Sequence, residues 1–361
     1  MSRFQDIGMN ILLLGGSNTG LQDGWAAHFQ ELAFEHNVTN QFLGATGSLF
    51  GVLRLLKSKQ EDAPRPDLVI FEYMLNDILL MRAGCIRTPI LEDALLDVVA
   101  FCSLHRIRLL FLCLRPQRPG PANAFSSDDR VERTYARIAR EHAMFPCVFS
   151  SELLGEAERP EHYRDPNHFT VDMSRRAATF LVATLRDKTI PAPLARGRRE
   201  SAFSYVDATK ASFRGPCRLV TVRSTVFDGP FLEISRSGAS IWPGRGRLAA
   251  ILIRSTPQGG YYRIRVGSRS LRKCAPSEML SLIRKLVTLH YLSRKLIVDA
   301  DLELAMPSEE PALMALGEDR SLLQTTPTEP FDDQVLEVNG IVLWTRPSLL
   351  RRCLALFDRF R

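Results

Sequence analysis

No stretch of this sequence stays apolar for the roughly 20 residues that a bilayer-spanning helix needs. The early apolar segment, Ile11–Leu14, is too short for the core of a secretory signal and better suited to a first strand. These two absences lead to the expectation of a soluble, cytoplasmic protein. The seven cysteines, Cys85, Cys102, Cys113, Cys147, Cys217, Cys274 and Cys353, are scattered, odd in number and never spaced as C-x-x-C. That pattern speaks for reduced, structural thiols rather than a disulfide framework or a thiolate zinc site. Histidine is scarce as well, with seven residues and no two at i, i+4, so neither a helical metal site nor a cofactor is implied. Internal repeats and low-complexity segments are missing.

At 361 residues the chain exceeds the usual single domain, and two domains are expected. A content of 45% hydrophobic and 24% charged residues is ordinary for a globular protein. The net charge of +7 is unevenly spread: residues 1–192 carry 21 basic and 23 acidic side chains, residues 193–361 carry 26 and 17. The basic second half suits an anionic partner such as an acidic polysaccharide, nucleic acid or phospholipid. A solvated arginine-rich surface is the plainer reading, because the charges are dispersed.

Strand-like and helix-like segments alternate in the first half. Strands are expected at 10–15, 67–72, 108–114 and 146–149, and helices at 23–36, 48–59, 90–105, 128–143 and 171–187. Such alternation predicts a parallel sheet wrapped by helices. Prolines, Gly197 and basic residues then interrupt the periodicity, giving domains at 1–192 and 201–361 joined by a linker at 193–200. The second domain reads as smaller, β-rich and α+β, with strands at 217–223, 229–234, 247–254, 261–267, 293–305 and 333–345. Asn339-Gly340 signals a hairpin, and helices are expected at Ser277–Tyr291 and Ser348–Phe360. The terminal helix reads as packed on its own domain, though its arginines would also suit a membrane surface. Most of Phe213, Phe231, Trp242, Tyr261, Tyr262 and Trp344 are read as sheet core before they are read as a sugar-stacking platform.

Two short motifs carry the chemistry. Gly15-Gly16-Ser17-Asn18-Thr19 follows the first expected strand, so its hydroxyl falls at the carboxyl edge of the sheet, where open α/β folds bind ligands. Asp165-Pro166-Asn167-His168 can bring a carboxylate and an imidazole together on one tight turn. A serine becomes a useful nucleophile when a base takes its proton and a third group holds that base. Two further segments fit an oxyanion hole: Leu43-Gly44-Ala45-Thr46-Gly47, through a backbone N–H, and Leu75-Asn76-Asp77, through a side-chain amide. Each segment alone also fits a helix cap. Their order and their placement at strand ends favour a site. His162 is the near rival of His168, and it lacks an acid at the same spacing.

In these four segments the first half of the chain resembles the SGNH, or GDSL-type, hydrolase superfamily. The resemblance implies a flavodoxin-like three-layer α/β domain with Ser17 as nucleophile and Asp165 and His168 as acid and base. It also implies an oxyanion hole from Ser17, Gly44 and Asn76, with Gly47 as the alternative to Gly44. Asn18, Asp77 and Arg115 are expected to line the substrate site. Two departures stand out: the usual Gly-Asp-Ser is Gly15-Gly16-Ser17, and the Gly two before Asn-Asp is Met74. Neither removes a proton-transfer or oxyanion group. The expected activity is removal or transfer of a short acyl group, acetyl above all, on a carbohydrate or related hydroxyl substrate. Two other readings stay open: a silent SGNH-fold binding protein, and a module whose basic C-terminal domain engages an anionic polymer or a protein.

Overall fold

Leu68-Val69-Ile70-Phe71 is apolar on both faces of an extended chain, and such a run is stable only in the middle of a sheet covered on both sides. The computed structural model, which describes residues 8–60, 64–117, 126–155, 157–194, 200–224 and 227–345, puts it there. Its elements are β1 (Asn10–Gly15), α1 (Ser17–Gly20), α2 (Trp25–Leu32), β2 (Asn37–Asn40), α3 (Ser48–Gln60), β3 (Leu68–Glu72), α4 (Met74–Arg82), α5 (Thr88–Leu104), β4 (Arg108–Cys113), α6 (Ser126–Glu141), β5 (Val148–Phe149), α7 (Ser150–Leu154), β6 (Tyr163–Asp165), β7 (His168–Phe169) and α8 (Val171–Asp187). The first five strands form one parallel sheet in the order β2-β1-β3-β4-β5.

Alternation along the strands sends side chains to two cores. Ile11, Leu13, Leu68, Ile70, Leu110 and Leu112 face Trp25 and Phe29 of α2 and Ala177 and Leu181 of α8. On the opposite face the rings of Phe71 and Phe111 lie 5.8 Å apart, and Phe111 meets Tyr135 of α6 at 5.2 Å. A side chain at Gly51 of α3 would strike Phe71 at 2.4 Å, so glycine there sets how closely helix and sheet approach. The result is the expected three-layer α/β domain. Sequence periodicity missed β2, whose residues are half exposed, and α4, whose apolar residues lie all round the helix.

The described residues form two compact units, those within 8–82 and 87–200 in the first and those within 83–86 and 201–345 in the second. The second unit contains β8 (Phe203–Asp207), β9 (Ser212–Arg214), β10 (Cys217–Val222), β11 (Gly229–Ser235), β12 (Ala239–Pro243), β13 (Gly246–Ser255), β14 (Tyr261–Val266), β15 (Arg269–Cys274), β16 (Leu286–Tyr291), β17 (Ile297–Val298), β18 (Asp301–Ala305) and β19 (Val335–Trp344). One antiparallel sheet runs β10-β11-β19-β13-β16, with β8 on β19 and β17 on β13; another runs β15-β14-β18-β12-β9. Both feed a core that includes Ile234, Trp242, Ile251, Tyr262, Leu304 and Ile341. Lys273 is fully buried within this unit, and its ammonium is satisfied by Asp319 Oδ1 at 2.8 Å and the carbonyls of Tyr291 and Asp319 at 2.9 Å.

Three expectations for this half are corrected. Ser277–Tyr291 is not a helix: Glu278–Ser281 forms one 3₁₀ turn and Leu286–Tyr291 becomes β16, paired with β13. Its β-branched and aromatic residues fit a strand buried on both faces. The strand expected at 293–305 divides into β17 and β18. Asn339-Gly340 lies inside β19 rather than in a hairpin. Gly340 pairs with Leu252 and Val338 with Ile253, so Asn339 is the extra residue of a bulge, and its amide donates to the Pro230 carbonyl at 2.6 Å. Phe231, Trp242 and Tyr262 are fully buried, as core residues. The terminal helix expected at 348–360 lies outside the described residues, as do 195–199 of the linker and 118–121 of the loop that starts at Arg115.

Gly340 has no room for a side chain, since a Cβ would lie 2.6 Å from the Tyr205 ring. Gly340→Ala is expected to lower unfolding stability by about 1–3 kcal/mol. Urea unfolding beside Tyr205→Ala/Gly340→Ala checks this: removal of the ring should recover most of the alanine-specific loss.

Candidate active site

In a sheet ordered β2-β1-β3-β4-β5 the chain reverses direction of growth between β1 and β3, and ligands bind outside the carboxyl ends of those two strands. Ser17 follows β1 there and Asn76 follows β3. Ser17 opens the single-turn helix α1, so its hydroxyl leaves the strand end at a sharp bend.

His168 arrives from a separate segment. Asp165 and His168 pair across the two-stranded ribbon β6–β7, with Pro166 and Asn167 at its turn. The Asp165 carboxylate receives the His168 ring Nδ1 at 2.8–2.9 Å and the backbone N–H groups of Asn167 at 2.9 Å and His168 at 3.0 Å. Burial alone would raise its pKa; the Asn167 N–H, the His168 ring and the His168 N–H outweigh that and hold the carboxyl below its ordinary range. With the ring proton on Nδ1, facing this carboxylate, Nε2 accepts from the Ser17 hydroxyl at 2.8 Å. An ionised acid, an oriented base and a hydroxyl therefore form one hydrogen-bonded chain. His162 is engaged elsewhere, its Nδ1 accepting from the Arg159 N–H at 3.0 Å.

The oxyanion candidates lie beside the serine. A Cβ built on Gly44 would sit 3.6 Å from the Ser17 Cβ, and one built on Gly16 would sit 2.0 Å from Asn76 Oδ1. Gly47 lies against Asp77 and Leu80 instead, which favours Gly44 over Gly47 as the donor. The loop is held by the Thr46 hydroxyl donating to the Leu43 carbonyl at 2.7 Å, and Ala45 takes a positive φ of 57°. Non-glycine residues adopt that region at a cost. Among the described residues, no protein acceptor takes the N–H of Ser17 or Gly44 or the Asn76 amide.

The polar groups of Asn18, Asp77 and Arg115, expected at the substrate, are engaged by protein partners. Asn18 is buried; its amide donates to the Asn167 carbonyl at 2.8 Å, and its oxygen accepts from the Phe169 N–H at 3.3 Å. It thereby binds the serine turn to the histidine ribbon. Asp77 is buried and accepts from the Ser48 N–H at 2.9 Å, the Ser48 hydroxyl and the Tyr135 hydroxyl at 2.7 Å, which fixes the start of α4 just after Asn76. The Arg115 guanidinium is forked onto Glu132 at 2.6–2.7 Å and also meets Glu158 at 3.3 Å. Its carbonyl accepts from the Tyr163 hydroxyl at 3.1 Å, and the next-but-one residue, Gln117, donates its N–H to the Pro166 carbonyl at 2.8 Å. The loop after β4 thus braces the histidine ribbon.

Glu72 escaped the sequence reading, and Thr19 was read there only as the end of the serine motif. The Glu72 carboxyl, wholly buried at the end of β3, accepts from the Thr19 hydroxyl at 2.8 Å and the Gly16 N–H at 3.3 Å. A glutamate ending a buried apolar strand was the available signal.

The chain is similar to a two-domain esterase, CEX, described as active on acetylated mannans: TM-score 0.59, 15% identity, covering 94% of this chain and 92% of that one. It is also similar, with a TM-score of 0.41 and 14% identity, to a GDSL-like lipase from Bacteroides thetaiotaomicron, over 52% of this chain and 92% of that one. No protein-family model matches the chain, and no curated protein matches it significantly. The first likeness shows a shared fold: a three-layer α/β domain followed by a β-rich domain. Among the described residues no helix is long and apolar enough to cross a membrane.

Desolvation raises the Glu72 pKa from 4.5 to about 8. Below the lower value the carboxyl is protonated in both folded and unfolded chains. Between the two values only the unfolded chain releases the proton, so this group makes unfolding easier as pH rises, and above the upper value the effect is constant. Glu72→Gln removes this slope. Denaturant unfolding at pH 5 and pH 8.5 is therefore expected to show the variant gaining on wild type by a few kcal/mol, at about 1.4 kcal/mol per pKa unit. A gap that does not change with pH contradicts the assignment.

Proposed function

We propose that the chain is an SGNH-type serine ester hydrolase working through an acyl-enzyme on Ser17. The observation that carries this reading is the unbroken hydrogen-bonded chain from Asp165 through His168 to the Ser17 hydroxyl, at 2.8–2.9 Å and 2.8 Å. In the first step Ser17 Oγ attacks the ester carbonyl while His168 Nε2 takes its proton. Asp165 stabilises the imidazolium, and the N–H groups of Ser17 and Gly44 with the Asn76 amide meet the negative charge that develops on the carbonyl oxygen. His168 then gives its proton to the departing alcohol. Water, deprotonated by the same ring, hydrolyses the acyl-serine and regenerates the free enzyme.

Within this reading the substrate is a short acyl ester, acetyl first, on a carbohydrate or related hydroxyl compound, and residues 201–361 form an accessory domain. The similarity in fold to CEX along most of the chain supports that choice, since CEX is described as active on acetylated mannans. Transfer of the acyl group to a sugar hydroxyl instead of water uses the same groups. The silent-binder reading would be favoured by a serine out of reach of its histidine, or by Arg115 filling the pocket. Neither describes this site.

Ser17→Ala and His168→Ala are each expected to lower kcat on p-nitrophenyl acetate at least about 10³-fold, and Asn76→Ala about 10²–10³-fold. A fluorophosphonate probe should label wild type at Ser17 alone. Labelling elsewhere, or undiminished turnover in Ser17→Ala, contradicts the proposed nucleophile.

A further inference from the structure

Position 16, next to the serine, is glycine where its resemblance family usually has an acid, and the structure gives a local reason. A Cβ at Gly16 would fall 2.0 Å from Asn76 Oδ1, and one at Gly15 would fall 2.0 Å from the Thr19 hydroxyl. No side chain fits at either position without displacing a group of the site.

An acid reaches this turn from another strand. Glu72 ends β3 directly opposite Gly15 in the β1–β3 ladder and has no solvent exposure. A single oxygen, Oε2, accepts both the Thr19 hydroxyl and the Gly16 N–H, and the Gly16 N–H is shared with the Glu72 carbonyl at 3.1 Å. The other oxygen, Oε1, has no hydrogen-bond partner among the described residues. These contacts grip the chain on both sides of Ser17, one residue before it and two residues after it.

A side chain serving only to fill this space would be apolar. β3 is otherwise Leu68, Val69, Ile70 and Phe71, and burying a carboxyl with one unbonded oxygen costs stability that a methionine or leucine would spare. The cost is explained by what the bonded oxygen does. Thr19 is 1% exposed, so its hydroxyl is shut away from water and relies on this acceptor, and through it α1 is anchored to the sheet.

We propose that Glu72, acting through Thr19 and the Gly16 N–H, is the positioning residue that fixes the angle at which Ser17 leaves β1. It touches neither substrate nor reacting atoms. It aligns the Ser17 hydroxyl with His168 Nε2 and the Ser17 N–H with the site of oxyanion charge, and this role rests on the esterase reading above.

The test is a set of four variants, Glu72→Gln, Glu72→Met, Thr19→Val and the double Glu72→Met/Thr19→Val, assayed for kcat and KM on p-nitrophenyl acetate and for midpoint of thermal unfolding. Glu72→Gln keeps a carbonyl oxygen where Oε2 stands and should hold kcat within about threefold of wild type. Glu72→Met and Thr19→Val should each lower kcat roughly 10–100-fold with KM within about threefold, the signature of lost transition-state alignment. Because both remove one shared interaction, the double variant should be no more than about threefold below the worse single one. Thr19→Val deletes a single hydroxyl and carries the test if Glu72→Met fails to fold. Wild-type kcat in either apolar variant, with only the unfolding midpoint moved, overturns the proposal; so do losses that multiply in the double variant. A wild-type protein that neither turns over esters nor labels at Ser17 overturns the esterase reading itself, a distinct result.

Discussion

The hydrogen bond from the Ser17 hydroxyl to His168 Nε2 spans 2.8 Å in space and 151 positions in sequence, and the arrangement of the first domain can be understood from the need to hold it. A hydroxyl becomes nucleophilic only if the base is within hydrogen-bond reach and correctly oriented, and misplacement by about 1 Å can cost two orders of magnitude in rate. Parallel strands meet the first demand by delivering every strand end to one edge of the sheet. The order β2-β1-β3-β4-β5 then leaves the crevice where β1 and β3 diverge. Orientation comes from short-range polar contacts. Asn18 bonds the backbone on both sides of His168, through Asn167 and Phe169, and Asp165 closes the ribbon by taking two backbone N–H groups as well as the ring.

Precision at this edge is obtained with buried polar groups that the hydrophobic core alone would not select. Glu72 and Asp77 are both desolvated, which pushes their pKa values to about 8 and about 6. Glu72 bonds the Gly16 N–H and the Thr19 hydroxyl on the Ser17 turn, and Asp77, next to Asn76, bonds the Ser48 N–H and the hydroxyls of Ser48 and Tyr135. The two carboxyls weaken the fold and tighten the site, the usual exchange where activity depends on strained or polar arrangements.

Much of this could be read from the sequence, for identifiable reasons. Strands β1, β3 and β4 are short apolar runs that have no other stable home, and α8 repeats at the helical period, so these four were legible nearly to their boundaries while β2 and α4 were not. Ser17, Asp165 and His168 were legible because the acid and base are three residues apart and the serine follows a strand. The contacts of Asp77 and Arg115 were not legible, because charged residues at a strand's carboxyl edge look alike whatever they face; the structure has Ser48 and Tyr135 on one and Glu132 and Glu158 on the other. In the second domain the β-branched and aromatic residues of Leu286–Tyr291 favour a strand, and their pairing with β13 bears this out against the expected helix. Asn339-Gly340 has the composition of a turn, yet Tyr205 packed over the glycine and the Asn339 bond to Pro230 make it a bulge.

The central claim is that hydroxyl, base and three oxyanion donors surround one point in space. A crystal structure of the protein after reaction with a small alkyl fluorophosphonate tests it most directly. The account predicts phosphorus bonded to Ser17 Oγ, and one phosphoryl oxygen accepting from the N–H groups of Ser17 and Gly44 and from the Asn76 amide at about 2.7–3.1 Å. A phosphonate on another residue, or one on Ser17 whose oxygen turns to solvent away from Gly44 and Asn76, would contradict it.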